Sequence, residues 1–173
     1  MYGFIIITTA FRNIKGKITK KDMLCSIKVV IDKKETYIKA IIDTGNFLKE
    51  PITKVPVVVI QKDSLKDLIP QLILDNIGKI INGEEINLGQ WISKVRIIPF
   101  TSLGKENGIL LGIEADKILI DSDDRSIVTE NVIVGIYNGT LSKTGKYQAL
   151  IGLEMMEDNN GGKVNEYIRN IKV

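Results

Sequence analysis

The sequence predicts a mainly β protein of one lobe with a few short helices, and three observations carry that expectation. Short branched apolar runs recur from Ile27 to Ile151, bounded by glycine, proline and asparagine turns. One of these runs leads straight into Asp43-Thr44-Gly45-Asn46. Two later runs, Val95 to Phe100 and Ile109 to Ile113, flank a glycine-bearing tip. The 173 residues suit one domain of ordinary size.

The elements follow in order. Gly3 to Phe11 is apolar but well short of the ~20 residues that span a bilayer. Arg12, Lys15, Lys17, Lys20 and Lys21 come next. Two readings stand: a first strand with a solvated linker, or the cytoplasmic flank of a membrane segment. No small-residue cleavage site follows, so no signal peptide is expected. Ile27, Val29 and Ile31 alternate with Ser26, Lys28 and Val30, which predicts a strand. A turn at Asp32-Lys33-Lys34-Glu35 then leads to a second strand, Thr36 to Ile42, with Ile38, Ala40 and Ile42 on one face. Val57 to Ile60 reads as a short buried strand.

Leu65, Leu68, Ile69, Leu72 and Ile73 recur at helical spacing, with Asp63 or Ser64 as a cap. Pro70 interrupts the pattern and predicts two short helices or a kink. Asn82-Gly83, Asn138-Gly139 and Thr144-Gly145 mark turns. Ile118 to Ile120, Val132 to Ile136 and Ala149 to Gly152 are further strands, and Leu153 to Glu157 begins a short helix. The expected organisation is a basic juxtamembrane-like segment over 1–22, a folded domain over 23–158 with a helical insertion at about 62–89, and a tail over 159–173.

Composition removes several chemistries. With no histidine, a Ser-His-Asp triad, a Cys-His dyad and a His-ligated zinc are excluded. Cys25 is the one cysteine, so no internal disulfide or CxxC site exists; the expectation is a small buried apolar group. Lys and Arg number 24 against 21 Asp and Glu, and the net charge of +3 is too mild to imply nucleic acid. Trp91 is expected to pack. The Asp121-Ser122-Asp123-Asp124 run lacks the spacing and terminal Glu of a calcium loop, so no metal or other cofactor is expected. Ser102 with Lys105 suggests a Ser-Lys hydrolase less well than a mobile tip explains the glycines.

Asp43-Thr44-Gly45 is the most informative feature. A carboxylate in a tight turn after a buried strand is held rigidly, and Gly45 lets the backbone turn sharply beside it. Thr44 offers a hydroxyl that bonds backbone across an interface. The plain alternative is an Asx-type turn after a strand. The order of parts adds to it: an apolar strand into Asp-Thr-Gly, a hairpin with a glycine-bearing tip, and Ala149-Leu150-Ile151-Gly152 before a short helix.

That order resembles the retropepsin fold, the single-lobe aspartic proteases. The resemblance implies a closed or partly open retropepsin-like aspartic protease barrel with a flap hairpin and short helices, one lobe per chain. It implies that Asp43 is the catalytic acid, supported by Thr44, Gly45 and Asn46. The flap falls on Ser102, Leu103, Gly104, Lys105, Glu106, Asn107 and Gly108. The strand threading beside the active loop falls on Leu150, Ile151 and Gly152. Asp43-Thr44-Gly45-Asn46 with Leu48, Pro51, Pro56 and Val57 narrows the match, as do Ile98-Pro99-Phe100-Thr101-Ser102-Leu103-Gly104-Lys105-Glu106-Asn107-Gly108 and Leu111-Gly112-Ile113. Over residues 24 to 156 the chain resembles the protease part of the sporulation sigma-E factor processing peptidases.

Aspartic proteolysis uses two carboxylates that share a proton. The chain has one Asp-Thr-Gly, so the resemblance implies a homodimer with Asp43 contributed twice. It also implies a precursor sigma factor as protein substrate, a signalling protein as activator, and work at the cytoplasmic face of the sporulation septum on the mother-cell side. Membrane helices precede the protease part in that family and are absent from these residues, so this piece is expected to be soluble. Where retropepsins place Ala or Ser after Asp-Thr-Gly, this chain has Asn46, as the sporulation family does. An amide there is able to donate to the outer carboxylate oxygen and lower its pKa. The rival function is a non-catalytic β-rich module that binds a peptide or a sigma factor.

Overall fold

The computed structural model describes residues 23–102, 105–122 and 125–156. The expectations for the apolar start, the basic segment over 1–22 and the tail over 159–173 lie outside the described residues. So do Leu103, Gly104, Asp123, Asp124 and Glu157.

Nine strands form one sheet: β1 (Leu24–Ile31), β2 (Lys34–Asp43), β3 (Val57–Gln61), β4 (Val95–Ser102), β5 (Lys105–Ala115), β6 (Lys117–Ser122), β7 (Arg125–Thr129), β8 (Val132–Tyr137) and β9 (Ala149–Gly152). Their order is β4-β5-β8-β3-β9-β2-β1-β6-β7. The mainly β expectation holds, but among the described residues hydrogen bonding does not close the sheet, because β4 and β7 remain as its edges there.

The sheet is nonetheless rolled. If it were flat, β5 and β6 would stand six strand spacings apart, about 29 Å. One residue, Asp116, joins them. Its N–H donates to Val30 O on β1 at 2.9 Å, and Glu114 N donates to Lys94 O at 2.8 Å. The chain therefore draws the two flanks of the sheet together at this corner. Ile27, Val29 and Ile31 from β1, Val58 and Ile60 from β3, Ile113 from β5, Ile118 and Ile120 from β6, and Val132 and Val134 from β8 are buried in one core cluster.

The first hairpin is tighter than its sequence suggests. Lys34 and Glu35, expected in the turn, pair with Ile31 and Val30. Only Asp32 and Lys33 turn, with φ of 50° and 66°. Positive φ at both central residues is what a two-residue hairpin needs to match strand twist. Lys33 N also donates to Asp116 Oδ2 at 3.4 Å, which ties this turn to the rolled corner.

Pro70 splits the apolar helical pattern, as its ring requires. A 3-10 turn covers Lys62–Leu65, and short helices cover Gln71–Asp75 and Ile77–Ile81. Neither Asp63 nor Ser64 caps a helix; Asp63 bonds Lys66 at 2.9 Å instead. Restarting the helix at Pro70 shifts its phase. Leu72, expected inside, is 51% exposed, while Ile73 and Leu74 are buried. Periodicity does not announce β7, because its branched run Ile127-Val128-Thr129 is short and follows an acidic stretch. Trp91 packs half-buried against the core.

Candidate active site

β2 grows more buried toward its end, with Ala40, Ile41, Ile42 and Asp43 all inside. The reason is its neighbour on the far side from β1. β9 runs parallel to it in the register Ile41 with Leu150, Ile42 with Ile151 and Asp43 with Gly152. β9 is sandwiched in turn by β3, where Leu150 pairs with Val59. The acid thus leaves the sheet from a central, doubly paired strand.

Glycine at 152 is a steric requirement. A Cβ there would stand 2.5 Å from Asn46 O, so the loop after Asp43 passes directly over the end of β9. Asn46 N closes the turn onto Asp43 O at 3.1 Å. Gly45 N donates to Asp43 Oδ1 at 3.0 Å. This is an Asx turn in local geometry, with an unusual remainder. Asp43 is 2% exposed and its Oδ2 has no hydrogen-bond partner among the described residues. Burial raises the Asp43 pKa, and the Gly45 bond opposes that rise. The phenol of Tyr147 is raised too, first by its own burial and then by the charge of Asp43.

Asn46 is buried beside it at 7% exposure. Its Oδ1 accepts from Leu48 N at 3.1 Å, and its Nδ2 has no partner among the described residues. Among the described residues Asn46 makes no bond to the Asp43 of its own chain. Leu48 fixes the amide the other way, and the Asp43 pKa moves up rather than down. Thr44 is half-buried and Gly45 buried.

Sequence reading missed the group that shapes the rest of this loop. Glu50 is 5% exposed. Its Oε2 accepts from the Thr53 side chain, from Thr53 N and from Ile52 N. The Thr53 hydroxyl, then its N–H, lower the Glu50 pKa against a smaller cost of burial; Arg96 on β4 adds a weaker pull. Lys54 follows with φ of 61°. Lys49 bonds Glu154 at 3.0 Å, fastening the loop to the 3-10 turn Leu153–Met156 after β9. A glutamate before a proline in a polar loop carries no sequence signal of burial.

The hairpin expected as a flap is formed by β4 and β5, with Ser102 paired to Lys105 and a register shift between Phe100 and Ser102. Leu103 and Gly104 lie outside the described residues. Asn107 adopts φ of 58°, and Gly108 lies directly under the Phe100 ring, where a Cβ would collide. The loop after β2 and the strand Leu150–Gly152 are therefore brought together, and the hairpin base shares electrostatic range with that loop through Arg96 and Glu50.

The other reactive candidates are spoken for. Burial, then the charge of Asp121, pushes the Cys25 thiol up to about 11, which keeps it protonated and unreactive. Asp121 accepts from the Ser126 hydroxyl across the β6-β7 pair. Among the described residues no cluster of three or more Cys, Asp or Glu side chains is placed to hold a metal ion. No helix among them is long and apolar enough to cross a membrane.

Comparison with known proteins adds an independent line. The family described as sporulation factor SpoIIGA, peptidase U4, matches residues 1–155. A sporulation sigma-E factor-processing peptidase of Priestia megaterium is 32% identical over 133 residues, covering 75% of this chain and 43% of that protein. A protein of Bacillus thuringiensis subsp. kurstaki, with a sporulation sigma factor-processing peptidase name, is 31% identical over 137 residues, 78% of this chain and 85% of its own length. The sporulation sigma-E factor-processing peptidase of Bacillus subtilis strain 168 is 27% identical over 135 residues, 76% of this chain and 44% of that one. The chain thus spans less than half the length of two of these relatives. No solved structure matches it significantly.

Proposed function

Since the chain belongs to the sporulation factor SpoIIGA family, we propose that it is the aspartic endopeptidase part of a sigma factor-processing peptidase. Its substrate is the pro-segment of a precursor sigma factor, and Asp43 is its catalytic residue. The observation that carries this reading is a strand-end carboxylate at 2% exposure with one oxygen tied to Gly45 N and the other unpartnered among the described residues. Such a group costs stability, and a fold retains it where chemistry requires it.

The mechanism follows from the charge. Burial raises the Asp43 pKa above the ordinary carboxylate value, so this acid holds its proton more readily than an exposed one. Two copies meeting at Asp43 cannot both ionise, so the pair holds one proton and titrates as a unit. The ionised member takes a proton from a water as its oxygen attacks the peptide carbonyl. The protonated member gives its proton to the carbonyl oxygen. The tetrahedral intermediate then collapses: the C–N bond breaks, the leaving amine takes the proton that the first carboxylate drew from water, and the hydroxyl formed from the carbonyl returns its proton to the second carboxylate, which restores the pair. No covalent enzyme intermediate arises, which suits a chain without histidine.

In this reading the rolled sheet is a one-lobe retropepsin-like scaffold. The β4-β5 hairpin closes over an extended substrate that pairs by its backbone. The 1–22 segment places the domain beside a membrane, where confinement raises the effective concentration of copies for pairing.

Co-expression with a sigma-E precursor, scored by the mass of the precursor, tests the reading. Cleavage is expected from the unaltered chain and should fall about 10³-fold or more in Asp43→Asn, within the span general acid-base groups contribute. Light scattering should give the same assembly state for both. Undiminished cleavage by Asp43→Asn overturns the assignment. Binding of the precursor by both proteins without cleavage by either would make the chain a binding module.

A further inference from the structure

Two buried side-chain atoms among the described residues lack a hydrogen-bond partner, and both belong to one four-residue loop: Asp43 Oδ2 and Asn46 Nδ2. The first accepts and the second donates. Buried polar atoms are nearly always satisfied, so two complementary orphans three residues apart in one loop call for an explanation. They do not satisfy each other within the chain, because each side chain is already oriented by its other atom. Asp43 Oδ1 is held by Gly45 N at 3.0 Å, and Asn46 Oδ1 by Leu48 N at 3.1 Å. Exchanging the Asn46 oxygen and nitrogen would set its NH2 against the Leu48 N–H, donor against donor. The Asn46 orientation is therefore fixed by its own backbone.

The step that follows rests on the proposed meeting of two copies at Asp43. A twofold contact is reciprocal: if Asn46 of one copy reaches Asp43 of the other, the converse holds. A single kind of bond, made twice, then satisfies all four orphan atoms. We infer that Asn46 is a positioning residue of the acid pair, its Nδ2–H donating across the twofold axis to the outer oxygen of the partner's Asp43. The bond is strongest on whichever carboxylate is ionised. It thereby aligns the ionised member and favours its charged form against burial.

Of the titratable or charged groups on the elements around the loop, Lys39 on β2 is exposed, and those that follow are engaged elsewhere. Lys49 and Glu154 bond each other at 3.0 Å. Glu50 accepts from Thr53 and Ile52. On β4, Arg96 bonds Glu114 at 2.6 Å. On β1, Lys28 bonds Glu35 at 3.3 Å, and Cys25 stays protonated. Tyr147, ahead of β9, feels the charge of Asp43 and keeps its phenolic proton.

The test is the pH profile of kcat/KM for cleavage of a sigma-E precursor by the full 173-residue chain, Asn46→Ala and Asn46→Ser. Removing a bond to the charged form raises the lower apparent pKa of the pair. The acid limb of Asn46→Ala should therefore move up by about one pH unit, a roughly tenfold loss on that limb, with KM changed less than about threefold. Asn46→Ser keeps a donor on a shorter arm and should fall between. An acid limb that stays in place overturns the inference, as does a change confined to KM, which would assign Asn46 to substrate binding. Loss of folding in both variants, read by near-ultraviolet circular dichroism, would assign it to the loop and also overturn the inference. An unmoved limb together with an inactive Asp43→Asn sinks this inference alone. An active Asp43→Asn sinks the proposed function with it.

Discussion

Asp116 sits in the one-residue corner between β5 and β6 with both carboxylate oxygens engaged, Oδ1 by Lys94 Nζ at 3.0 Å and Oδ2 by Lys33 N at 3.4 Å. Asp43 sits at the end of β2 with one oxygen engaged and the other without a partner among the described residues. At Asp116 burial pushes the carboxyl up, but the Lys94 bond, the Lys33 N–H, the Lys94 charge and the Asp32 N–H together outweigh it, and the pKa lies below the ordinary value. At Asp43 burial wins over the single Gly45 bond, and the pKa lies above it. Asp43 ends β2 and Asp116 follows the last residue of β5, both in the same sheet. The cation and the second donor make the difference. Asp116 is spent on holding the roll together, whereas Asp43 keeps an oxygen without a partner among the described residues, at an energetic cost that the proposed catalytic role would explain.

The contrast breaks most severely if the platform under Asp43 is disturbed. Gly152→Ala drives a Cβ to 2.5 Å from a backbone oxygen that cannot rotate away. A loss of about 2 kcal/mol is expected from such overpacking, lowering Tm by about 4–8 °C. Gly78→Ala is the control: its Cβ meets nothing within 4 Å, and Tm should hold or rise. A Gly152→Ala protein as stable as the control would show that the loop does not rest on β9.

The next effect has the opposite sign. Asp43→Asn keeps an acceptor for Gly45 N and removes the buried charge. At pH 7 it should stabilise the chain by about 1 kcal/mol, or 2–4 °C in Tm. Because the folded pKa of Asp43 is raised, its favourable contribution is present below the ordinary carboxylate range and lost as pH rises through the raised value. The gain from Asn should therefore shrink as pH falls toward about 4 and below. Thermal melts from pH 3 to 8 read this directly; a destabilised Asp43→Asn at pH 7 would contradict it.

Asp116→Ala should cost least. Its side chain is 38% exposed and Lys94 28%, so solvent screens the pair, and about 0.5–1 kcal/mol is expected. Its lowered pKa reverses the pH dependence: the contribution is present above the ordinary carboxylate range and lost as pH falls. Added salt should reduce it, which melts in 0.05 and 0.5 M NaCl would reveal.

Much of the scaffold was legible because strand burial writes itself as branched alternation. Ile27-Val29-Ile31 and Val57 to Ile60 were placed almost to the residue. Turn chemistry was less legible. Asp32-Lys33 carries positive φ without a glycine, supported from Asp116, a residue 83 positions away, and no local rule anticipates that. Leu72 turns outward and Leu74 is buried beside Ile73 because Pro70 resets the helical phase. Glu50 was invisible, since its three donors arise only when Ile52 and Thr53 curl back over it.

What the sequence determined by itself was the identity and order of the parts: apolar strands of period two, an acid delivered at the end of one of them, glycine at 45 and 152, and a chemistry without histidine. Those follow from local stereochemistry and composition, which need no neighbours. The tertiary structure alone decided that Gly152 lies against Asn46, that Asp116 is neutralised while Asp43 is not, and that two complementary polar atoms are left bare in one loop. Each of these depends on which distant groups the roll of the sheet brings within reach, and a carboxylate acquires its character from that surrounding dielectric and those donors rather than from its place in the chain.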